Sequence, residues 1–161
     1  MKFLAAPWRW DFITAIGKKK GCVFCDALNL PEDQSLICHR GKDFFVILNK
    51  YPYSTAHLMI VPYDHIDSPD RIHPDKAVEM WQLQNRAIDI IKKNFNPAGF
   101  NLGMNIGKVA GAGVKDHIHL HIVPRWEGDA NFMPIIGETR VLSYSIEHIL
   151  EVLREEFNRE S

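Results

Sequence analysis

Residues 117–122 read His-Ile-His-Leu-His-Ile and continue into Val123-Pro124-Arg125. Imidazole and aliphatic side chains alternate there without a break, which is the period of a β-strand with two unlike faces. On such a strand successive rings stand about 6.5–7 Å apart on one face, while Ile118, Leu120 and Ile122 bury the other. A helix is excluded, because residues two apart on a helix point in different directions and would scatter the rings. The expectation is a strand that presents three of the chain's eight histidines in one row.

Such a row suits two chemistries. Imidazoles spaced i, i+2 can grip a metal ion, with a metal-bound hydroxide as nucleophile. Alternatively, one neutral ring is itself the nucleophile near pH 7, and its neighbours orient it and handle protons. In the second case the middle ring, His119, is the one whose surroundings the strand controls best.

Composition narrows the partners. A formal net charge of −1 over 161 residues argues against broad electrostatic binding to a nucleic acid polymer or an anionic membrane, and leaves room for a local site for a small polyphosphate. No apolar run approaches the ~20 residues that span a bilayer. Pro7, Arg9 and Asp11 break up the only run that resembles a leader, so no export is expected. The length suits one domain with a substantial core: an aromatic arm over 1–20 carrying Trp8 and Trp10, a core over 21–140 and a C-terminal helix over 141–161. The Lys18-Lys19-Lys20 run reads as a solvated turn.

Cys22-Val23-Phe24-Cys25 forms a short turn that brings two thiolates together. The pair alone is open between a zinc knuckle, a redox pair and chance; without an export signal it fits a reducing cytoplasm better than a disulfide framework. Cys38 reads as an ordinary buried thiol. Phe44–Leu48 and His57–Val61 read as strands joined by a turn through Asn49 and Lys50-Tyr51-Pro52-Tyr53-Ser54. From His73-Pro74 to Asn94 the pattern is helical, with Ala77, Trp81, Ile88, Ile91 and Phe95 as the core stripe. Asn96-Pro97-Ala98-Gly99 stops that helix, and Phe100–Ile106 resumes alternation. Gly107 to Gly113 is glycine-rich: small residues, Gly111 and Gly113 among them, let backbone amides approach a phosphate, and Lys108 adds a charge. Trp126 reads either as a base-stacking or as a packing residue. Ser145 caps a final amphipathic helix through Ile146, Ile149, Leu150, Leu153 and Phe157.

His117 to Val123 resembles the signature of the histidine-triad superfamily of nucleotidyl hydrolases and transferases. Its continuation, Pro124-Arg125-Trp126-Glu127-Gly128-Asp129, is similar to a bacterial branch related to diadenosine tetraphosphate phosphorylases, and the resemblance runs from about Cys22 to about Arg140. It implies an α+β fold of about five antiparallel strands with one long helix and a C-terminal helix, and commonly a homodimer. It further implies a nucleoside polyphosphate substrate, with His119 attacking the α-phosphorus to give a nucleotidyl-histidine that water or phosphate resolves. The backbone around His117 would fix the tautomer of His119, His121 would stabilise charge, and His57 would lie near the triad. Asn49 would bond the ribose. The resemblance also implies a structural zinc on Cys22, Cys25, His65 and His117. One departure stands out: Ala112, Gly113 and Val114 occupy the loop where relatives often carry Ser or Gln, so that stabilising the leaving phosphate would fall to backbone amides, Asn105 or Lys108. Other readings are a zinc hydrolase using all three imidazoles as ligands, and a nucleotide-binding module without turnover.

Overall fold

The computed structural model describes residues 21–129 and 143–159. The expectations for the arm around Trp8 and Trp10, for Lys18–Lys20 and for the loop after Asp129 lie outside the described residues. The framework is a five-stranded antiparallel sheet in the order β1-β2-β3-β5-β4: β1 Ile37–Arg40, β2 Phe44–Leu48, β3 Leu58–Pro62, β4 Gly99–Gly103 and β5 Leu120–Arg125. Three helices accompany it, α1 Val23–Ala27, α2 Pro74–Phe95 and α3 Ile146–Asn158. Among the described residues no helix is long and apolar enough to cross a membrane.

β2 and β3 are apolar along their whole length because both faces are covered, and every residue of each is buried. On one face Phe44, Val46, Leu48, Leu58, Ile60, Leu120 and Ile122 pack against α2 and α3. On the other, Phe45, Ile47, Met59 and Val61 meet Phe24 and Ala27 of α1. This two-sided burial puts the even residues of β5 into the helix-side core and turns its odd residues toward α1.

α2 starts where Pro74 occupies the first turn and the His73 ring accepts a bond from the Asp75 amide. It ends as Asn96 takes a left-handed conformation at φ 45° and Pro97 forbids another turn. Its buried stripe is Leu83, Gln84, Ala87, Ile90, Ile91 and Phe95, which corrects the stripe expected from the sequence. Trp81 is 60% exposed, Ile88 is only partly buried, and a buried glutamine at 84 disguised the true face. Ser145 caps α3 as expected, its hydroxyl accepting from the His148 amide at 3.2 Å. β1 was not foreseen. It is four residues long, carries Cys38 and His39, and its pairing with β2 is interrupted by a register shift between Ile37 and His39, so it lacks a period-2 signal.

His39 stacks on Phe157 of α3 with ring centroids 5.2 Å apart. Burial first, then the Arg86 guanidinium, hold its pKa below the ordinary 6.5, with Glu79 opposing. A folded value below the unfolded one means that the unfolded chain binds the extra proton. This contribution to stability is therefore complete above the unfolded value and is lost as pH falls through the folded one. Urea midpoints should accordingly drop more between pH 7 and pH 5 in the wild type than in His39→Gln; equal drops would remove His39 from the acid sensitivity.

Candidate active site

β3 and β5 pair over only three positions, Leu58↔Ile122, Met59↔His121 and Ile60↔Leu120. The ladder stops there, which corrects the expectation of one continuous strand through all three histidines. Pro62 has no N–H to offer, and its carbonyl accepts instead from the His117 ring at 2.9 Å. The Ile118 amide donates to Ile66 O at 2.6 Å. His117 and His119 thus sit just ahead of β5, on backbone held by β3 and the turn after it. The rings are also closer than an ideal strand would set them: His119 and His121 have centroids 4.7 Å apart.

Each imidazole has its proton placed by a group that can act in only one sense. The His119 Nδ1 lies 3.0 Å from His117 O; a carbonyl only accepts, so the proton is on Nδ1 and the lone pair on Nε2. The Tyr53 amide and the Asn49 side-chain amide donate to His57 Nδ1 at 3.1 and 3.3 Å. That puts the His57 proton on Nε2, from which it is donated to His121 Nδ1 at 2.9 Å. Neutral His121 therefore carries its own proton on Nε2. Burial holds His119 below the ordinary imidazole pKa, partly offset by the bond to His117 O. Burial and the neighbouring His119 lower His121 to about 4. Both rings are neutral at pH 7.

His117 is engaged differently. With its Nε2–H committed to Pro62 O, its Nδ1 lone pair points at Cys22 Sγ, 3.3 Å away, and Cys25 Sγ, 3.7 Å away. His65 Nδ1 lies 3.3 Å from Cys25 Sγ. Two sulfurs and two imidazole nitrogens, all within 4.8 Å of one another, form a four-donor cluster able to hold a metal ion. A metal-ligating histidine ordinarily anchors its second nitrogen on a carbonyl or carboxylate, as His117 does here. Among the described residues that cluster takes only His117 from the triad. One ion held by all three imidazoles would need a free nitrogen of His117, whose Nε2–H is on Pro62 O and whose Nδ1 faces Cys22 and Cys25.

The remaining expected residues are placed less uniformly. Asn49 works within its turn, its Oδ1 accepting from the Tyr51 amide at 2.9 Å while its amide supports His57. Asn105 is half-buried at the start of the glycine loop and Lys108 is exposed on a 3-10 turn, Lys108–Ala110. Two amides of the loop expected to meet a phosphate are used by the turn itself, Gly111 N–H on Lys108 O and Ala112 N–H on Gly107 O. Gly113 is half-buried, and Val114 after it packs into the cluster that contains Phe24. Trp126 takes the packing role: its indole donates to Phe95 O at 3.1 Å at the end of α2 and lies against the helix-side core, on the face of the sheet opposite Phe24. With Thr55, Phe95, Ser143 and Tyr144 it lines a cavity of about 190 Å³. The Cys38 thiol is buried and pushed up to about 12, as expected of an inert core cysteine. Sequence reasoning missed Phe24, whose ring touches both His117 and His119; its place between Cys22 and Cys25 was the available signal.

An antiparallel sheet presenting a neutral, tautomer-locked imidazole row beside a Cys/His cluster is the frame against which comparisons with known proteins fall. Residues 31–128 match the family model of the HIT domain. A phosphorylase of Mycobacterium tuberculosis, AP-4-A phosphorylase, is 36% identical over 137 residues, covering 85% of this chain and 70% of that one. A zinc-bound histidine triad family protein from Mycobacterium smegmatis superposes with a TM-score of 0.67 at 25% identity, over 85% of this chain and 93% of its own. A hypothetical histidine triad nucleotide-binding protein from Sulfolobus tokodaii gives 0.68 at 28% identity, over 84% and 91%. The chain belongs to the histidine-triad, or HIT, family.

Proposed function

We propose that this protein is a nucleotidyl hydrolase or phosphorylase that cleaves dinucleoside polyphosphates of the diadenosine tetraphosphate type, or nucleoside phosphoramidates, through a covalent nucleotidyl-His119 intermediate. The observation that carries this reading is the 3.0 Å bond from His119 Nδ1–H to His117 O, because it leaves the lone pair on Nε2 of a desolvated, neutral ring. The similarity to a diadenosine tetraphosphate phosphorylase supports the substrate class.

In the first step the Nε2 lone pair attacks the α-phosphorus, and the bond from that phosphorus to the bridging group breaks with the electron pair leaving on the departing phosphate or amine. In the second, water or inorganic phosphate attacks the same phosphorus and releases the imidazole. His121, with Nε2–H free to point at substrate oxygens, stabilises charge as it builds. His57 acts through His121 and is a positioning residue. Asn49, Asn105, Lys108 and the amides around Gly113 are the groups of this reading that bind ribose and phosphate; Gly111 contributes through the turn it closes.

Cys22, Cys25, His65 and His117 are assigned to zinc. A tetrahedral S2N2 site has donor separations of about 3.6 Å; three of the sulfur–nitrogen pairs here are 3.3 to 3.7 Å apart, and all four donors lie within 4.8 Å of one another. With all four positions filled by protein, the ion would serve as a structural cross-link. A homodimer and a cytoplasmic setting belong to the same reading. Among the described residues β4 lies at an edge of the sheet, and Leu102, Val78 and Trp81 are exposed, features that a partner subunit can cover.

Incubation with diadenosine tetraphosphate tests the reading. Consumption to AMP and ATP in water, or to ADP and ATP with inorganic phosphate, is expected. Tight mononucleotide binding with no consumption would leave a binding module and overturn it.

A further inference from the structure

We infer that Phe24 is a positioning residue for the nucleophile, its phenyl ring setting the plane of the His119 imidazole from its place on α1 between the two cysteines. The inference rests on the reading of His119 as the attacking group.

Among the described residues, one hydrogen bond and two ring contacts orient that ring. The bond to His117 O restrains Nδ1, yet a single hydrogen bond to backbone two residues earlier leaves the ring able to tilt about that contact. Two aromatic neighbours limit the tilt. One is His121, at 4.7 Å between centroids and 73° between planes. The other is Phe24, at 4.9 Å and 53°. His121 is itself a participant, so Phe24 is the neighbour with no chemistry of its own. Its ring also meets His117 edge-on at 5.5 Å and 78°. Phe24 is 4% exposed and is wedged among Ala27, Ile37, Phe45, Ile47, Met59 and Val61, so the wedge cannot yield without disturbing the sheet. In-line attack needs the lone pair aimed within about 10–20°, and a misplacement near 1 Å can cost about a hundredfold in rate.

The same ring sits on α1, bounded by Cys22 and Cys25. The metal cluster therefore reaches His119 by two routes, the carbonyl of His117 and the side chain of Phe24. Only the second can be cut without touching a proposed metal ligand.

The test uses the metal-loaded protein and the variants Phe24→Ala, Phe24→Met and Phe24→Leu; the larger two are included because deleting a buried phenyl also lowers stability. In Phe24→Ala that retains its metal, kcat for diadenosine tetraphosphate should fall about 10- to 100-fold with KM within about twofold, and the Leu and Met variants should recover most of the loss. A second readout needs no turnover. Crystal structures should show one orientation of the His119 ring in the wild type and a rotated or split ring in Phe24→Ala, with His57 unchanged. An unchanged kcat together with an unmoved His119 ring would overturn the inference, as would a loss that tracks only the metal or the folded fraction. A wild type without turnover would instead refute the functional reading, while the comparison of ring orientation would still judge Phe24.

Discussion

His119→Asn should lower kcat by at least about a thousandfold while leaving the fold in place. Removing a nucleophile eliminates the covalent route altogether, and losses of that size or larger are usual for such groups. Stability should suffer far less. The asparagine amide can still donate to His117 O in the place of Nδ1–H, so the one polar demand of this 5% exposed position remains met. Thermal melting would report the fold and steady-state turnover the chemistry. A variant that keeps turnover within tenfold of the wild type would show that the nitrogen at this position does not attack.

Removing the metal should act on stability first and on catalysis through it. Chelation withdraws the cross-link between Cys22 and Cys25, at the start of and within α1, and His65 and His117, which follow β3 and precede β5. Burial and the adjacent Cys22 hold the Cys25 thiol above its ordinary pKa; a bound cation would offset both, and that difference is part of what the ion contributes. At free metal a thousandfold above Kd the contribution is about 4 kcal/mol. For a chain of this size that corresponds to about 8–16 °C in Tm. The expected result is a Tm drop in that range on treatment with a strong chelator, reversed by zinc, and a matching drop in Cys22→Ser. A Tm indifferent to both would exclude a structural metal.

Much of this architecture was written in the period of the side chains. The strict alternation from His117 to Ile122 marked a strand with two unlike faces, although β5 itself begins only at Leu120, and uniformly apolar stretches marked β2 and β3, both of which are covered on each side. The gathering of Cys22, Cys25, His65 and His117 was foreseen through the Cys-x-x-Cys spacing together with the family resemblance. What escaped the sequence depends on backbone groups and on shape. Pro62 ends the β3–β5 ladder and lends its carbonyl to His117. The Tyr53 amide sets the tautomer of His57. No side-chain pattern reports either. The face of α2 was misjudged because exposed Trp81 looks like core and buried Gln84 like surface. Phe24 was visible only as the residue between two cysteines, whose chemistry drew attention away from the ring.

The most direct measurement is mass spectrometry of the wild-type protein quenched within a single turnover of diadenosine tetraphosphate. A nucleotidyl group should be found on the peptide containing residues 117–125, on His119, and should vanish in His119→Asn. Substrate consumed at full rate with no adduct at any time point, or an adduct on another residue, would contradict covalent catalysis by His119.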